Sequence, residues 1–232
     1  MIRNLAVGLA TAVLIASLGP PGLIAAWITG SPRPLYVLST LGIRNIFRVA
    51  GVRLVVRGHE TLDPEQTYVF VANHVSNLDP PAAYLATDRE IRTLAKAEVF
   101  NIPIFGRVLK MAGFPAVHRG DRNRAVETLT EAAAVLAAGH DFMAFPEGTR
   151  SRTGELGKFK KGPFIMAIQA QVPVAPMVLR GTREVWPRGS MRVSAGTVEI
   201  DFLEPLSTHG MTMDDRDELR GTVRDRMAEA LA

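Results

Sequence analysis

The feature of this sequence that most constrains its fold is the alternation, beyond residue 53, of short apolar β-prone runs with helical patterns. A helix between two strands carries the chain back to the edge where the first strand began, so successive strands pair in parallel. We therefore predict an α/β fold with a largely parallel mixed sheet flanked by helices. The predicted strands cover residues 53–57, 67–72, 114–118, 141–145, 174–179 and 197–202.

Helical periodicity is clearest over residues 122–138, where apolar side chains such as Val126 and Leu129 recur at the spacing of one helix face. Asp121 is a good N-cap for this helix, and Gly139 is a good residue to end it. Shorter helices are predicted over residues 104–111 and 162–169, and a last one over residues 214–232.

The N-terminal segment differs in character, because residues 1–30 carry one charged side chain, Arg3. An apolar run over 5–18 is followed by a Gly-Pro-Pro-Gly break over 19–22 and by a second apolar run over 23–28. We favour a re-entrant or interfacial anchor of two segments, since the first run is short for a spanning helix and the prolines interrupt it. A single kinked spanning helix and a cleaved signal peptide are the alternatives.

The segment that follows, residues 36–52, has the pattern of a basic amphipathic helix, with Arg44 and Arg48 four residues apart. Such a helix suits the headgroup layer of a membrane, and the alternative is a helix packed on the core of the domain. The excess of arginine after the apolar region predicts that the main domain lies on the cytoplasmic face. We accordingly divide the chain into a membrane-associating helical segment, 1–52, and an α/β domain, 53–232.

The charged side chains narrow the range of partners. The sequence has 27 basic and 23 acidic residues, and 22 of the basic ones are arginine. Arginine binds phosphate in a planar fork, so anionic partners become candidates, against the simpler alternative of a solvated basic surface. Cysteine is absent, which excludes disulfides, a cysteine nucleophile and cysteine-based zinc sites.

The stretch "VANHVSNLDP" over 71–80 places His74 and Asp79 five residues apart, just after an apolar run. Five residues turn a helix by about 140°, and on a strand they give opposite faces, so the two side chains can meet only in an irregular strand-to-helix turn. Pro80 and Pro81 suit the first turn of a helix that Asp79 would cap. Asp79 is then either a simple cap or a cap that also holds His74 at the carboxyl end of a strand, where α/β folds collect their chemistry.

Two further polar clusters follow predicted strands. Arg119 stands between one strand and the long helix, whose N-terminal amides would help it to bind an anion. Glu147, Gly148, Thr149 and Arg150 follow another strand, and Gly148 permits positive φ or a close backbone approach. Solvated surface ion pairs are the alternative at both places.

Other chemistries find little support in the sequence. It contains neither the G-x-S-x-G pattern of a nucleophile elbow nor the G-x-G-x-x-G pattern of a dinucleotide site. The spacings of His74, Asp79, His118 and Asp121 match no strong metal motif, so we predict no metal site.

Together these clusters resemble the blocks of the glycerolipid acyltransferases, above all the 1-acylglycerol-3-phosphate acyltransferases. Asn73, His74 and Asp79 resemble the N-H-x4-D block of that family, and "FPEGTRS" at 145–151 resembles its third block. All four blocks occur in order within roughly residues 53–205, although His118 stands where the family often has aspartate. The other similar stretches are 96–106, 113–119, which ends in Arg119, and 172–179.

The resemblance implies transfer of a fatty acyl group from an acyl thioester, on coenzyme A or acyl carrier protein, to the free hydroxyl of lysophosphatidic acid. His74 would be the general base, and Asp79 would orient its ring. Backbone amides of the turn that joins them would stabilise the thioester oxyanion. Transfer would be direct, without a metal or a cofactor.

The resemblance also implies how the acceptor is bound. Lys96, Arg119 and Arg150 would neutralise its phosphate. Glu147 and Gly148 would position its glycerol part. The partners are then a lysophospholipid, the acyl donor and membrane lipid, without nucleic acid. The alternatives are another lysophospholipid, glycerol 3-phosphate or a polyol lipid as acceptor, or a lipid-binding protein without catalysis. The predicted substrate-binding residues are Asn73, Lys96, Arg119, Glu147, Gly148, Thr149 and Arg150.

Overall fold

A computed structural model describes residues 2–117, 122–190 and 192–232 of the chain. The strands within these ranges are β1 (Val52–Arg57), β2 (Val69–Ala72), β3 (Ala95–Lys96), β4 (Ala116–Val117), β5 (Phe142–Ala144), β6 (Val174–Arg180) and β7 (Gly196–Phe202). The α-helices are α1 (Ile2–Thr29), α2 (Arg33–Ala50), α3 (Asp79–Thr87), α4 (Phe105–Met111), α5 (Arg122–Ala137), α6 (Gly162–Ala170), α7 (Thr182–Val185) and α8 (Arg216–Leu231). Short 3-10 helices lie at His59–Thr61, Ala97–Asn101 and Met213–Asp215.

A five-stranded mixed sheet in the order β1-β7-β6-β2-β5 forms the centre of the molecule. β2 is parallel to both of its neighbours, β5 and β6, and β1 is parallel to β7. The pairing of β6 with β7 is antiparallel. The predicted α/β fold with a largely parallel mixed sheet is therefore confirmed, and each of the six predicted runs contains a strand.

The central strand β2 is buried on both faces, as expected for a strand between two parallel neighbours. Phe70 and Ala72 pack into a core with residues of α2 and α3, whereas Val69 and Val71 pack into a second core with residues of α5, α6 and α8. Successive side chains of a strand point to opposite faces, so the sheet separates two layers of helices. Both layers leave the carboxyl end of β2 free to lead into the turn that contains His74.

A second sheet, of two parallel strands, pairs β3 with β4. β3 was not predicted, because its two residues, alanine and lysine, are not β-prone. Arg92 bridges Phe142 of β5 in parallel, so the segment leading into β3 runs beside β5. Lys96 is four residues beyond Arg92, and Pro146 is four residues beyond Phe142. Lys96 and Pro146 thus lie equally far along the chain from this bridge, and β3 itself pairs with β4.

The long helix α5 begins and ends close to its predicted bounds. Gly139 follows its last turn with a φ of 85°, and its N–H donates to the carbonyl of Leu136 at 2.9 Å. Glycine suits this place because the left-handed conformation costs it little. The predicted N-cap, Asp121, lies outside the described residues.

The N-terminal helix α1 is continuous through Pro20 and Pro21, so the prediction of two segments broken at this point is wrong. A proline in a helix removes one donor and kinks the axis, and packing can offset that cost. Here α1 packs along α2 as a helical hairpin. A side chain at Gly22 would come within 3.1 Å of Leu35, so the glycine allows the two helices to approach closely.

By length and composition alone, α1 can cross a membrane over Arg3–Thr29, and 11% of the residues in its most apolar window are buried. Leu5, Leu9 and Ile28 are among its exposed apolar side chains. The helix agrees with the alternative of a single kinked spanning segment. The division of the chain at residues 52 and 53 stays a prediction.

The helix α2 combines the two alternatives predicted for it, a helix packed on the core of the domain and a basic amphipathic helix with an outward surface. Phe47 and Ala50 are buried in the core of the domain, whereas Val37 and Leu41 are exposed. Arg44 also faces solvent, where it pairs with Asp88 at 3.4 Å. One side of the helix therefore packs on the sheet, and the other presents apolar and basic side chains outward.

Candidate active site

His74 and Asp79 meet in the irregular turn between β2 and α3. Nδ1 of His74 lies 2.8 Å from Oδ2 of Asp79. The Asp79 side chain is fully buried, and 17% of the His74 side chain is exposed. An ionised carboxylate only accepts hydrogen bonds, so the proton of the neutral ring sits on Nδ1 and Nε2 keeps a free lone pair. Among the described residues, none hydrogen bonds to Nε2.

Asp79 is the first residue of α3, and Leu78 occupies the cap position, so the prediction that Asp79 caps this helix is wrong. Oδ2 of Asp79 instead accepts hydrogen bonds of 2.6 Å from the backbone N–H groups of Val75 and Ser76. One oxygen atom therefore joins the turn, the imidazole and the start of the helix. The dipole of α3 favours a negative charge at this end.

The same hydrogen bonds leave little room for the expected oxyanion hole. The N–H groups of Val75 and Ser76 donate to Asp79, and the N–H group of His74 donates to Oε1 of Glu147 at 2.7 Å. These three amides are occupied within the protein. The expectation that backbone amides of the turn bind the thioester oxygen therefore stays a prediction for the rest of the turn, which also includes Asn77.

Glu147 reaches His74 from the end of the neighbouring strand β5. Its side chain is buried, and its second oxygen, Oε2, accepts a hydrogen bond of 3.0 Å from the N–H of Gly157. Both oxygens thus bind the protein's own backbone. The carboxylate therefore fixes the backbone of His74, and its expected contact with glycerol stays a prediction.

Asn73 is also a bracing residue, although its place in the block predicted a substrate contact. Its side chain is buried, its amide nitrogen donates to the carbonyl of Leu179 at 3.0 Å, and its oxygen accepts from the N–H of Leu179 at 2.8 Å. The side chain thus continues the pairing of β2 with β6 by one residue. Both of its polar atoms bind backbone groups of the protein, and its expected contact with the substrate stays a prediction.

Phe145 stacks on the imidazole of His74, with ring centroids 4.4 Å apart and an angle of 29° between the ring planes. Sequence reasoning missed this contact. The signal was available in principle, because Phe145 ends a predicted strand whose carboxyl edge was expected to adjoin that of β2. The ring supports one face of the imidazole while Asp79 holds its edge.

Gly148 and Thr149 lie in an exposed turn that follows Glu147. Gly148 has a φ of 70°, and its N–H donates to the carbonyl of Phe145 at 3.0 Å. A side chain at this position would come within 2.5 Å of Nζ of Lys160, which shows that the lysine lies across the glycine. Lys160 therefore joins the site as a cation that the sequence analysis did not identify.

Arg150 lies beside the catalytic turn, where its Nη1 donates to Oδ1 of Asn77. The next residue fixes this position, because the N–H of Ser151 donates to the carbonyl of His74 at 2.7 Å. Lys96 is exposed in β3, which pairs with β4, and its place beside the acceptor stays a prediction. Arg119 lies outside the described residues, two positions after the end of β4.

Metal ligands are not grouped in the described ranges, where no cluster of three or more histidine, aspartate or glutamate side chains could hold an ion. His118 and Asp121 lie outside these ranges. The absence of a metal in the reaction stays a prediction.

Comparisons with known proteins agree with this geometry. A sequence model of the family described as Acyltransferase matches residues 53–180. The 1-acyl-sn-glycerol-3-phosphate acyltransferase of Cocos nucifera is 32% identical over 166 residues, which cover 71% of this chain and 53% of that protein. The alpha form of the enzyme from Homo sapiens is 33% identical over 178 residues, which cover 76% of this chain and 63% of that protein. This chain therefore spans roughly half to two thirds of the length of these relatives.

Among solved structures, the crystal structure of the 1-acyl-sn-glycerophosphate (LPA) acyltransferase PlsC from Thermotoga maritima is similar over almost the whole chain. It has a TM-score of 0.80 and 27% sequence identity, and the match covers 99% of this chain and 95% of that one. Fold and site define an α/β protein in which a partly exposed histidine, oriented by a buried aspartate, stands at the carboxyl edge of a mostly parallel sheet. With the matched family model, this means that the chain belongs to the acyltransferase family.

Proposed function

We propose that this protein acts as a 1-acyl-sn-glycerol-3-phosphate acyltransferase. It transfers a fatty acyl group from an acyl thioester to the free hydroxyl of lysophosphatidic acid and produces phosphatidic acid. The observation that carries the proposal is the 2.8 Å contact of His74 with Asp79, together with the unoccupied Nε2 of the partly exposed ring. The names of the relatives from Cocos nucifera and Homo sapiens support the choice of acceptor.

In the proposed mechanism, Nε2 of His74 removes the proton of the acceptor hydroxyl as that oxygen attacks the thioester carbonyl. The carbon–sulfur bond then breaks, and the thiol of the carrier leaves with the proton that His74 returns. Asp79 keeps the ring in the required tautomer and stabilises the imidazolium that forms. The reaction needs no acyl-enzyme, since His74 is the only group in the turn with an orienting carboxylate among the described residues.

The acceptor phosphate is proposed to bind the cations at the carboxyl edge. Arg150 is held next to the turn by Asn77. Lys96 is exposed in β3 and is retained on the basis of its position in the sequence. A guanidinium fork matches phosphate oxygens better than an ammonium group does, so Arg150 is the stronger candidate. Arg119, from the block that ends β4, is retained as the third cation on the basis of its position in the sequence.

An acceptor panel tests this proposal. Purified protein would be given one acyl thioester with lysophosphatidic acid, glycerol 3-phosphate, other lysophospholipids and a monoacylglycerol, and the products would be identified by lipid mass spectrometry. We expect phosphatidic acid as the main product. A preference for another acceptor would change the proposed substrate but support the proposed acyl transfer. Absence of turnover on every acceptor would favour a lipid-binding protein without catalysis.

Membrane association on the cytoplasmic face is part of the proposal, supported by the exposed apolar surface of α1 and the basic outer side of α2. A protein that begins at Arg33 should partition less to anionic lipid vesicles, because it lacks α1 but keeps the buried side of α2. Sedimentation of both forms with vesicles measures the difference. Equal partitioning would exclude α1 as the anchor, and a mature N-terminus near residue 30 would support a cleaved signal.

A further inference from the structure

Two loops beside the catalytic turn have a high net positive charge. Residues 148–161 contain five basic residues and one acidic residue, and residues 181–192 contain three and one. The two loops therefore carry a net charge of +6 in a chain whose net charge is +4. The remainder of the molecule is slightly acidic, so the positive field is concentrated next to His74.

Both loops are joined to the turn that contains His74. In the first, the N–H of Ser151 donates to the carbonyl of His74 at 2.7 Å. In the second, the carbonyl of Trp186 accepts a hydrogen bond of 2.6 Å from Oγ of Ser76. The loops also contact each other, because Arg183 donates to the carbonyl of Arg152 at 3.1 Å. The contacts thus bring the segment of Arg150 and Arg152 together with Arg183 and Arg188 beside the catalytic turn.

Carboxylates do not neutralise this surface. Lys161 pairs with Asp217 at 3.0 Å, but over the described residues none of the other basic side chains of the two loops is in a salt bridge. Arg183 and Arg188 donate to backbone carbonyl oxygens of the first loop, which fixes the guanidinium groups without cancelling their charge. Fixed, unneutralised guanidinium groups are a prepared site for phosphate.

We propose that this surface binds the phosphate groups of coenzyme A when that molecule carries the acyl group. We call the set Arg152, Lys158, Arg183 and Arg188 the carrier surface. The inference rests on the proposed acyl transfer and adds the identity and place of the donor's carrier. A flexible pantetheine arm separates the thioester of acyl-coenzyme A from its phosphates, so the phosphates need cations beside the catalytic turn and not within it.

The arrangement favours a compact polyphosphate over the surface of an acidic protein. Arg183 and Arg188 are held by carbonyl oxygens, so their positive charges keep a set position close to one another, which suits closely spaced phosphate groups. Lys158 and Lys160 flank the buried Phe159, so both extend from the same side of the loop. Lys160, which lies over Gly148, stands between this surface and the catalytic turn.

The test is a double substitution, Arg152→Gln with Lys158→Gln. Both side chains are exposed, and neither makes a hydrogen bond to another described residue, so the variant should fold normally. KM would be measured with acyl-coenzyme A and with the S-acyl-pantetheine of the same chain, which lacks the nucleotide phosphates. We expect KM for acyl-coenzyme A to rise by about 5- to 20-fold, since two exposed ionic contacts are lost, while kcat stays unchanged. KM for S-acyl-pantetheine should stay the same, and Arg226→Gln, an exposed arginine on α8, is the matched control.

Added salt should raise the KM of the wild-type protein for acyl-coenzyme A more than it raises the KM of the double variant. Equal changes with both donors would overturn the proposal, as would an unchanged KM for acyl-coenzyme A. A loss confined to acyl carrier protein would assign the surface to a protein carrier, and a loss confined to vesicle binding would assign it to the membrane. Either result would also overturn the proposal.

Direct titration of coenzyme A into wild-type and variant protein, without an acceptor, separates this inference from the proposed function. If the wild type binds coenzyme A more tightly than the variant but acylates none of the acceptors, the proposed function is rejected and the carrier surface is supported. If lysophosphatidic acid is acylated but the wild type and the variant bind coenzyme A equally well, the proposed function is supported and the carrier surface is rejected.

Discussion

The buried residues of the candidate site bind the protein's own backbone, whereas the exposed residues of the site face solvent. Asn73, Asp79 and Glu147 are buried, and each hydrogen bonds to backbone groups of the protein itself. Lys96 and Thr149, by contrast, are exposed to solvent. We call the buried residues the bracing set, because they hold the strand end and the turn that carry His74, whereas the exposed residues are free to touch a substrate directly.

This contrast teaches that one sequence block can contain two kinds of residue with different kinetic consequences. Loss of a bracing residue should misplace the imidazole, which lowers kcat and leaves the affinity for the acceptor largely intact. Loss of an exposed cation should weaken the bound phosphate, which appears in the efficiency towards charged acceptors. The predictions below test this division, in order of decreasing effect.

His74→Ala should lower turnover by about 1,000-fold or more, because it removes the general base together with the group that positions the hydroxyl. Asp79→Asn should also be severely impaired, since an amide at this place cannot accept both backbone N–H groups and the ring in the same way. Steady-state rates with lysophosphatidic acid, accompanied by thermal melts, measure both effects. Near-normal turnover of folded His74→Ala would refute the mechanism.

Arg150→Ala should lower the efficiency towards lysophosphatidate by about 10- to 200-fold, the factor that corresponds to about 1.5–3 kcal/mol for a sheltered charged hydrogen bond. Efficiency towards a monoacylglycerol should change much less, and Arg150→Lys should recover part of the loss. Arg119→Ala is expected to behave in the same way.

Equal losses of Arg150→Ala on charged and uncharged acceptors would move Arg150 to the bracing set. Its contact with Asn77 is the reason for this test, because that contact ties Arg150 to the catalytic turn. Arg226→Ala, which removes an exposed arginine on α8, controls for the change in net charge.

The sequence was sufficient for the sheet and for the pairing of His74 with Asp79, because strand periodicity and a strand-to-helix turn are local properties. It was not sufficient for the role of Asn73, whose partner, Leu179, is 106 residues away. The continuity of α1 also escaped prediction, since it depends on support from α2 and not on the local cost of two prolines. Long-range hydrogen bonds and packing thus decided which motif residues face inward.

Glu147→Gln should lower kcat by about 10- to 50-fold with little change in KM for lysophosphatidic acid, since one charge-assisted hydrogen bond is replaced by a poorer contact. Both oxygens of Glu147 accept from N–H groups, those of His74 and Gly157, and the amide of glutamine brings a donor against one of them. Glu155→Gln changes an exposed glutamate of the same loop and should be neutral. A rise in KM at unchanged kcat would instead support the predicted contact of Glu147 with the acceptor.

Phe145→Leu should have the smallest effect, a fall in kcat of about 2- to 10-fold, because a ring–ring contact contributes about 0.5–1.5 kcal/mol beyond its buried area. Leucine keeps an apolar side chain at the end of β5 but loses the flat face that lies 4.4 Å from the imidazole of His74. Phe145→Tyr keeps that face and should restore kcat. If leucine and tyrosine gave equal rates with equal melting temperatures, the ring would not position His74, and Asp79 and Glu147 alone would account for the orientation of the base. If leucine lowered kcat and tyrosine restored it at unchanged KM, the bracing set would include an aromatic face as well as two carboxylates.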